Sequence, residues 1–246
     1  LAIDCYQGHT SKTFNVHVRD DDKEYDRDYA EMDAMMHKAI TIIQFKVEGQ
    51  LIKKHPEWNM KERLLLDKID YKQGTIKLGG KEYPLNDTYF PTIDPKDPYK
   101  LTHEEEDVVE RLKNSFLGSE RLQRHIRFLY TKGSLYKVYN GNLLYHGCVP
   151  LNEDGSFMKV RIFDKTYSGK ALYDILEHYA RKGYYSIDPQ EKQRGEDILW
   201  FIWKNKHSPV FGKERMATFE RYFIDATETH EEPKNAYYRL FEKEEI

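Results

Sequence analysis

Leu-Tyr-Lys-Val-Tyr-Asn-Gly-Asn-Leu-Leu-Tyr-His, residues 135–146, is the stretch of this 246-residue sequence that decides the predicted fold. Strand-favouring residues on both sides of Asn140-Gly141 predict two antiparallel strands joined by a two-residue turn. Up to about Gly133 the pattern is mainly helical, and after this hairpin short strands alternate with a few helices. We therefore predict an α/β (α+β) chain with a helical region before the hairpin and a mixed region after it.

Three parts follow from this change of pattern. Residues 1–19 are expected to be the tail of a preceding helix and a linker, because the chain starts on the apolar Leu1-Ala2-Ile3. Residues 20–134 are expected to form a mainly helical insertion with one hairpin, and residues 135–246 a partial α/β domain. We interpret the sequence as a central segment cut from a longer protein.

One long helix, from about residue 25 to 54, dominates the predicted helical region. Its apolar residues repeat at steps of three and four, which places them on one face: Tyr29, Met32, Met36, Ile40, Ile43, Val47 and Leu51. Pro56 stops the helix. Two interpretations are open. The face packs on neighbouring elements of the same chain, or it contacts another subunit or a regulatory partner.

Local signals predict the smaller elements. Asn59 is expected to cap a helix that carries Leu64–Leu66, and Gly79-Gly80 to form the turn of a hairpin. Thr102 and Glu105 have the spacing of a capping box. Further helices are predicted for 102–118, 119–130, 170–182 and 197–203, a strand for 160–163, an ordered proline-rich strap for 86–99, and a peripheral, charged end from residue 227.

The charge balance limits the kind of partner. Lys and Arg number 39 and Asp and Glu 42, for a net charge of −3. This balance gives no reason to expect nucleic acid or an anionic membrane, and no apolar run approaches the roughly 20 residues of a membrane helix. Cys5 and Cys148 are too few for a disulfide framework or a zinc site. The composition therefore fits a cytoplasmic protein.

The candidate site begins where the central hairpin ends. Residues 142–150 read as a buried apolar strand that presents His146 at its end, a normal way to offer an imidazole to a metal ion. Gly147 would leave room for the backbone to approach a ligand. The alternative is a hydrogen-bonded structural histidine. Cys148 lacks the arginine-bearing loop of a cysteine phosphatase, so we expect a small buried side chain.

A second candidate region is the loop 208–222. Gly212 stands beside Lys213 and Arg215, a combination suited to a phosphate ester because arginine can bind two oxygens at once. The alternative is a basic loop in solvent. Gly8-His9-Thr10 matches a short metal-histidine motif, but it lies in a polar loop ahead of the candidate strand. We treat that match as accidental.

Several stretches together resemble the bacterial class III fructose-1,6-bisphosphatases. They include Tyr-His-Gly-Cys-Val-Pro within 143–157 and Ser-Pro-Val-Phe-Gly-Lys-Glu-Arg-Met within 208–223. Residues 42–46, 85–95 and 123–130 resemble the same family. The likeness runs nearly end to end and fades in 181–196 and the last few residues.

The resemblance implies a fold and a reaction. The family is similar to the calcineurin-like metallophosphoesterases, in which mixed sheets lie between helices and two divalent metals activate a water that attacks phosphorus. It implies manganese as the metal and fructose 1,6-bisphosphate as the substrate, hydrolysed at its 1-phosphate for gluconeogenesis. By the same resemblance His146 is a metal ligand, and the segment 197–200 with Lys213 and Arg215 supplies a cation for the substrate phosphate.

The family's other metal motifs are not in this sequence. Gly-Asp-x-His-Gly, Gly-Asp-x-x-Asp-Arg-Gly and Gly-Asn-His-Asp/Glu are expected ahead of it, and a Gly-His motif after it. One histidine cannot hold a dinuclear centre, so we expect these residues alone to be inactive. Two alternatives stay open: residues 20–134 as an oligomerisation or effector-binding module, and a metal-free phosphate-binding protein. A cut sheet would also leave exposed apolar edges in 135–246, which favour self-association.

Overall fold

The computed structural model describes residues 1–9, 14 and 27–242. Within them lie helices α1 (Ala2–Tyr6), α2 (Arg27–Lys54), α3 (His103–Gly118), α4 (Glu120–Lys132), α5 (Gly169–Tyr185), α6 (Pro189–Lys204), α7 (Thr218–Phe223) and α8 (Ala236–Phe241). The strands are β1 (Ile69–Asp70), β2 (Thr75–Leu78), β3 (Lys81–Pro84), β4 (Tyr136–Tyr139), β5 (Asn142–Tyr145), β6 (Val160–Ile162) and β7 (Lys165–Tyr167). Helices with small sheets confirm the predicted α/β class.

The sheets are small and, across the described ranges, pair only antiparallel. β1, β2 and β3 form one sheet, while β4–β5 and β6–β7 are separate hairpins. The mixed calcineurin-like sheet stays a prediction. The chain divides into two compact units, residues 1–116 with 217–231 and residues 117–216 with 232–246. The predicted boundaries at 19 and 134 concern the longer protein and also stay predictions.

The first unit is built on α2, which ends at Lys54 as predicted. Its buried face carries Ala34, Met35, Ala39, Ile42, Phe45 and Ile52. Four of the seven residues of the predicted apolar face are exposed: Tyr29, Met36, Ile40 and Val47. Packing among the residues that the structure describes therefore explains only part of the apolar pattern of this helix.

Two lysines take inward positions on α2. Lys38 Nζ lies 2.7 Å from Asp87 Oδ2, and Lys46 Nζ lies 2.6 Å from Glu105 Oε2, with all four side chains buried. Both pairs link α2 to segments distant in sequence, the proline-rich strap and the start of α3. Removing one member of such a pair leaves a buried charge, which costs about 3–5 kcal/mol. The predicted ordered strap is confirmed.

A close crossing fixes the end of the strap. A Cβ atom on Gly49 of α2 would lie 2.0 Å from the ring of Tyr99, so only glycine lets the ring pass. Gln50 Nε2 donates to the Tyr99 carbonyl at 2.7 Å, and Lys53 Nζ lies 4.3 Å from the ring centroid. The aromatic ring therefore lies directly against the helix backbone.

The predicted helix through Leu64–Leu66 is wrong. Asn59 has a φ of 54° and ends a short 3₁₀ turn instead of starting a helix. The leucines are buried among further 3₁₀ turns, because their burial in the unit outweighs local helix propensity. The capping box is confirmed: Glu105 N donates to Thr102 Oγ1 at 3.3 Å and Thr102 N to Glu105 Oε2 at 2.8 Å.

The second unit is organised by the crossing of α5 and α6. A Cβ on Gly195 would lie 2.1 Å from Gly183 N and 2.4 Å from the Tyr179 carbonyl oxygen. The two helix backbones are therefore in direct contact. Asp188 caps α6 by accepting from two backbone amides, and the helix starts eight residues before the predicted position at Asp197.

The central hairpin has the predicted register, with Tyr136 opposite Tyr145 and Val138 opposite Leu143. Its strands, however, are not buried. Val138, Leu143 and Leu144 are 64%, 56% and 53% exposed, so the expectation of a buried strand ahead of His146 is wrong. These exposed residues are apolar, as was expected of strand edges in 135–246 if part of the sheet lies outside this sequence.

The end of the chain is not peripheral throughout. Asn235, Ala236 and Leu240 are buried, and α8 packs with the second unit. No helix that the structure describes has the length and apolar character needed to cross a bilayer.

Candidate functional site

The segment after β5 packs on the loop at 208–210. Gly147 has a φ of +87°, and a Cβ there would lie 2.4 Å from the Pro209 carbonyl oxygen and 2.9 Å from Val210 Cα. Cys148 N donates to that same Pro209 oxygen at 2.7 Å. The room that glycine provides is filled by the protein's own backbone, so the prediction of a ligand approach at Gly147 is wrong.

Cys148 is a fully buried structural thiol. Its sulfur lies 2.9 Å from Asn235 Nδ2 and 3.7 Å from the Ser208 carbonyl oxygen. Its own carbonyl accepts from Tyr173 OH at 2.7 Å. Burial raises the pKa of the thiol, which keeps it protonated and unreactive. The prediction of a small buried side chain is confirmed.

Side chains hold the loop that follows α6. Ser208 Oγ donates to the Ile202 carbonyl at 2.6 Å and accepts from Val210 N at 3.0 Å. Asn205 Oδ1 accepts from His207 N at 2.8 Å. Burial lowers the pKa of His207 to about 4, so this ring is neutral at physiological pH. These hydrogen bonds fix the backbone of residues 205–210, which lead into the segment that carries Lys213 and Arg215.

The 232–238 segment forms hydrogen bonds with both parts of the candidate site, the segment after β5 and the 208–215 loop. Asn235 N donates to the Gly212 carbonyl at 3.1 Å, and Tyr238 OH donates to the Gly147 carbonyl at 3.0 Å. A Cβ on Gly212, whose φ is +69°, would lie 2.9 Å from the Tyr238 ring. The segment that carries His146 and the loop that carries Lys213 thus meet at Tyr238.

The two candidate cations differ in their described contacts. Lys213 Nζ donates to Glu232 in an ion pair, and the Lys213 backbone pairs with Lys234. Arg215, two residues on, is half-buried. Asp197 lies buried in α6, where it accepts from Gln193 Nε2 at 2.9 Å. The family resemblance groups the segment 197–200 with these two cations, and that grouping stays a prediction.

His146 is exposed at the end of the hairpin. Within residues 1–9, 14 and 27–242, no group of three His, Cys, Asp or Glu side chains is placed to hold a metal ion. The described residues therefore do not fit a dinuclear centre by themselves. His9 of the Gly-His-Thr match stacks on Tyr89 with ring centroids 4.0 Å apart, and Thr10 lies outside the described residues.

The contacts that Asn235 and Tyr238 make with the candidate site were not predicted from the sequence. Asn235 and Tyr238 lie about 90 residues from the hairpin, and their hydrogen bonds are to a thiol and a main-chain carbonyl. Neither contact leaves a motif. The apolar spacing of Ala236 and Leu240 at the start and end of a turn is the one local signal that this end packs.

Comparison with known proteins identifies the family. The sequence model of the family described as Firmicute fructose-1,6-bisphosphatase matches residues 1–246. A class 3 fructose-1,6-bisphosphatase of Clostridium beijerinckii is 51% identical over 246 residues, which is 100% of this chain and 37% of that protein. The one from Clostridioides difficile is 53% identical over 245 residues, 99% of this chain and 37% of its own length.

A third relative, from Clostridium tetani, is 55% identical over 226 residues, 92% of this chain and 34% of its length. The chain thus spans a little over a third of these relatives. No solved structure matches it. The family match over residues 1–246 and the identity of about 50% to these relatives show that the chain belongs to the Firmicute fructose-1,6-bisphosphatase family.

Proposed function

We propose that the protein containing these residues is a metal-dependent phosphoric monoester hydrolase that converts fructose 1,6-bisphosphate to fructose 6-phosphate in gluconeogenesis. The observation that carries this proposal is identity of 51–53% over essentially the whole chain to proteins named class 3 fructose-1,6-bisphosphatase. Cytoplasmic location belongs to the same proposal, because sugar phosphates of this pathway are cytoplasmic metabolites.

The metal, proposed to be manganese, would polarise the substrate phosphate and activate a water molecule when it is bound. His146 contributes one ligand. Its exposed position supports this role, since the imidazole is open to groups that other parts of the protein would bring. Tyr238 acts as a positioning residue, because its hydroxyl holds the Gly147 carbonyl immediately after the ligand.

Lys213 and Arg215 are the proposed contacts of the substrate phosphate. The ammonium of Lys213 is bonded to Glu232, so a phosphate dianion has to compete with that carboxylate for it. Arg215 offers a planar fork that fits two phosphate oxygens. Either residue neutralises charge at the loop that Gly212 and Asn235 fix in place.

The test measures manganese-dependent release of phosphate from fructose 1,6-bisphosphate by the longer protein and by the 246-residue chain. We expect turnover from the longer protein only, and its loss in His146→Ala. His178→Ala is the matched control, because His178 is also an exposed histidine and lies on α5. Turnover by the 246-residue chain, or full activity of His146→Ala, would overturn the ligand assignment.

The alternative of an interaction module is favoured by one observation, the exposed apolar stripe on α2. It does not compete with catalysis, because the stripe lies in the first unit and His146 in the second. A metal-free phosphate-binding role has no such support.

A further inference from the structure

A short antiparallel pairing joins the loop at 212–214 to the segment at 233–235. Lys213 lies opposite Lys234 in an isolated antiparallel bridge. The neighbours of the two lysines, and not the lysines themselves, form the two backbone hydrogen bonds of this bridge, at 2.8 and 3.1 Å. In such a non-hydrogen-bonded pair the Cα atoms are only about 4.5 Å apart and the side chains lie closest to each other. The fold therefore places the two lysines side by side on one face.

A carboxylate lies next to this pair of lysines. Like charges in directly opposite positions of two paired segments are unfavourable, so an anion beside them is stabilising. Glu232 supplies one such anion, because its carboxylate accepts a hydrogen bond from Lys213 Nζ. The Glu232 side chain is only 9% exposed. The site thus combines two ammonium groups with one carboxylate that is almost buried.

Both ammonium groups are accessible to a ligand. The side chains of Lys213 and Lys234 are 42% and 60% exposed. Lys234 Nζ donates to Glu242 Oε1 at 2.7 Å, but the Glu242 side chain is itself 63% exposed. An exposed ion pair of this kind contributes little to stability, so another anion can replace Glu242. Each ammonium also carries three donors, and one carboxylate does not use all of them.

We propose that Lys234 binds the same substrate phosphate as Lys213, and that Glu232 limits the affinity of this two-lysine site. The inference rests on the proposed function, since it extends the phosphate site of the 208–222 loop. A phosphate ester is close to a dianion and has three terminal oxygens, so adjacent lysines can bind different oxygens of one group. It displaces Glu242 from Lys234, whereas the almost buried Glu232 stays in place and repels it. A singly charged carboxylate gains less from two ammonium groups than a phosphate does, so the site selects for phosphate.

Steady-state kinetics of the longer protein test the two roles through effects of opposite sign. Lys234→Met should raise KM for the bisphosphate about tenfold, through loss of a charge-assisted contact. Glu232→Gln should lower KM about threefold, because it removes a repelling charge from the site. In both variants kcat should stay within about twofold, since binding that is equal in the ground and transition states affects KM alone. Two variants are matched controls for charge and should leave KM unchanged: Lys165→Met on β7, and Glu191→Gln, which removes the partner of Lys182. Circular dichroism checks that the variants are folded.

Failure of this inference and failure of the proposed function give different results. If Lys213→Met raises KM and Lys234→Met does not, the loop binds phosphate without Lys234 and only the two-lysine site is refuted. If KM is unchanged in both variants, the loop is not the phosphate site and the inference fails with it. An increase of KM in Glu232→Gln, or an equal decrease in Glu191→Gln, refutes the role of Glu232.

Amine labelling of the longer protein tests the site without turnover. The protein is treated with an amine-reactive ester at increasing concentrations of inorganic phosphate, and mass spectrometry measures the labelling of each lysine. We expect phosphate to protect Lys213 and Lys234 together, with one half-maximal concentration, while Lys165 keeps its reactivity. In Glu232→Gln that concentration should fall. Protection of Lys213 without Lys234, or labelling that phosphate does not change, overturns the two-lysine site.

Discussion

Replacing Gly195 by alanine tests the helix crossing that organises the second unit. The new Cβ would lie 2.1 Å from Gly183 N and 2.4 Å from both Gly183 Cα and the Tyr179 carbonyl oxygen. All three obstructing atoms belong to the α5 backbone. No side-chain rotation can relieve the overlap, so the two helices have to move apart.

The size of the effect follows from that movement. Restoring a normal contact of about 3.5 Å requires a separation of roughly 1.5 Å, enough to forfeit a large part of the dispersion energy at the crossing. Overpacking of this kind costs about 1–3 kcal/mol, and a backbone obstruction belongs at the upper end. Alanine in place of glycine within a helix gives back up to about 1 kcal/mol. We expect a net loss of about 2 kcal/mol.

Tryptophan fluorescence during urea unfolding measures this loss, because α6 carries Trp200 and Trp203. A Trp58→Phe background removes the signal of the first unit. The control is Gly118→Ala, where a Cβ meets nothing within 4 Å, and stability should stay the same or rise slightly. If Gly195→Ala were as stable as its parent, direct backbone contact between α5 and α6 would be refuted.

Three further predictions concern other parts of the molecule. Gly49→Ala should destabilise the first unit by about 2 kcal/mol, because its Cβ would lie 2.0 Å from the Tyr99 ring; unchanged thermal unfolding would contradict the close crossing. The lowered pKa of His207, about 4, means that between pH 6.5 and 4 the unfolded chain binds a proton that the folded ring does not. Stability should therefore fall by up to about 3 kcal/mol as the pH drops through this range, and should fall less in His207→Gln; parallel pH profiles for the two proteins would contradict this. In the longer protein, Lys213→Met or Arg215→Met should raise KM for the bisphosphate about tenfold or more, as expected for loss of a charge-assisted contact. Steady-state kinetics that leave KM unchanged in both variants would remove the loop from the site.

Elements defined by neighbouring residues could be predicted from the sequence. The Asn140-Gly141 hairpin, the capping box at Thr102 and the helix that follows Ser119 all depend on contacts within a few residues. Their hydrogen bonds form wherever the local chain adopts the right turn. Asn59 is the exception. It adopts a left-handed conformation at the end of a 3₁₀ turn instead of starting a helix, because burial of Leu64–Leu66 determines the path of the following residues.

The candidate site was predictable only in its residue types. His146, Lys213 and Arg215 could be singled out by their neighbours in sequence and by family resemblance. That Gly147 accommodates Pro209, and that Lys213 is bonded to Glu232, depend on segments the local pattern does not connect.

The sequence by itself determined the class of fold, most element positions and membership in the family, because these rest on local periodicity and on long matching stretches. Only the tertiary structure decided which side of α2 is buried. Helical spacing shows that Tyr29 and Ile40 share a face, but the inner side is set by where Asp87 and Glu105 meet the buried lysines. Burial is a property of pairs of distant segments, and a single sequence carries no direct record of which segments meet.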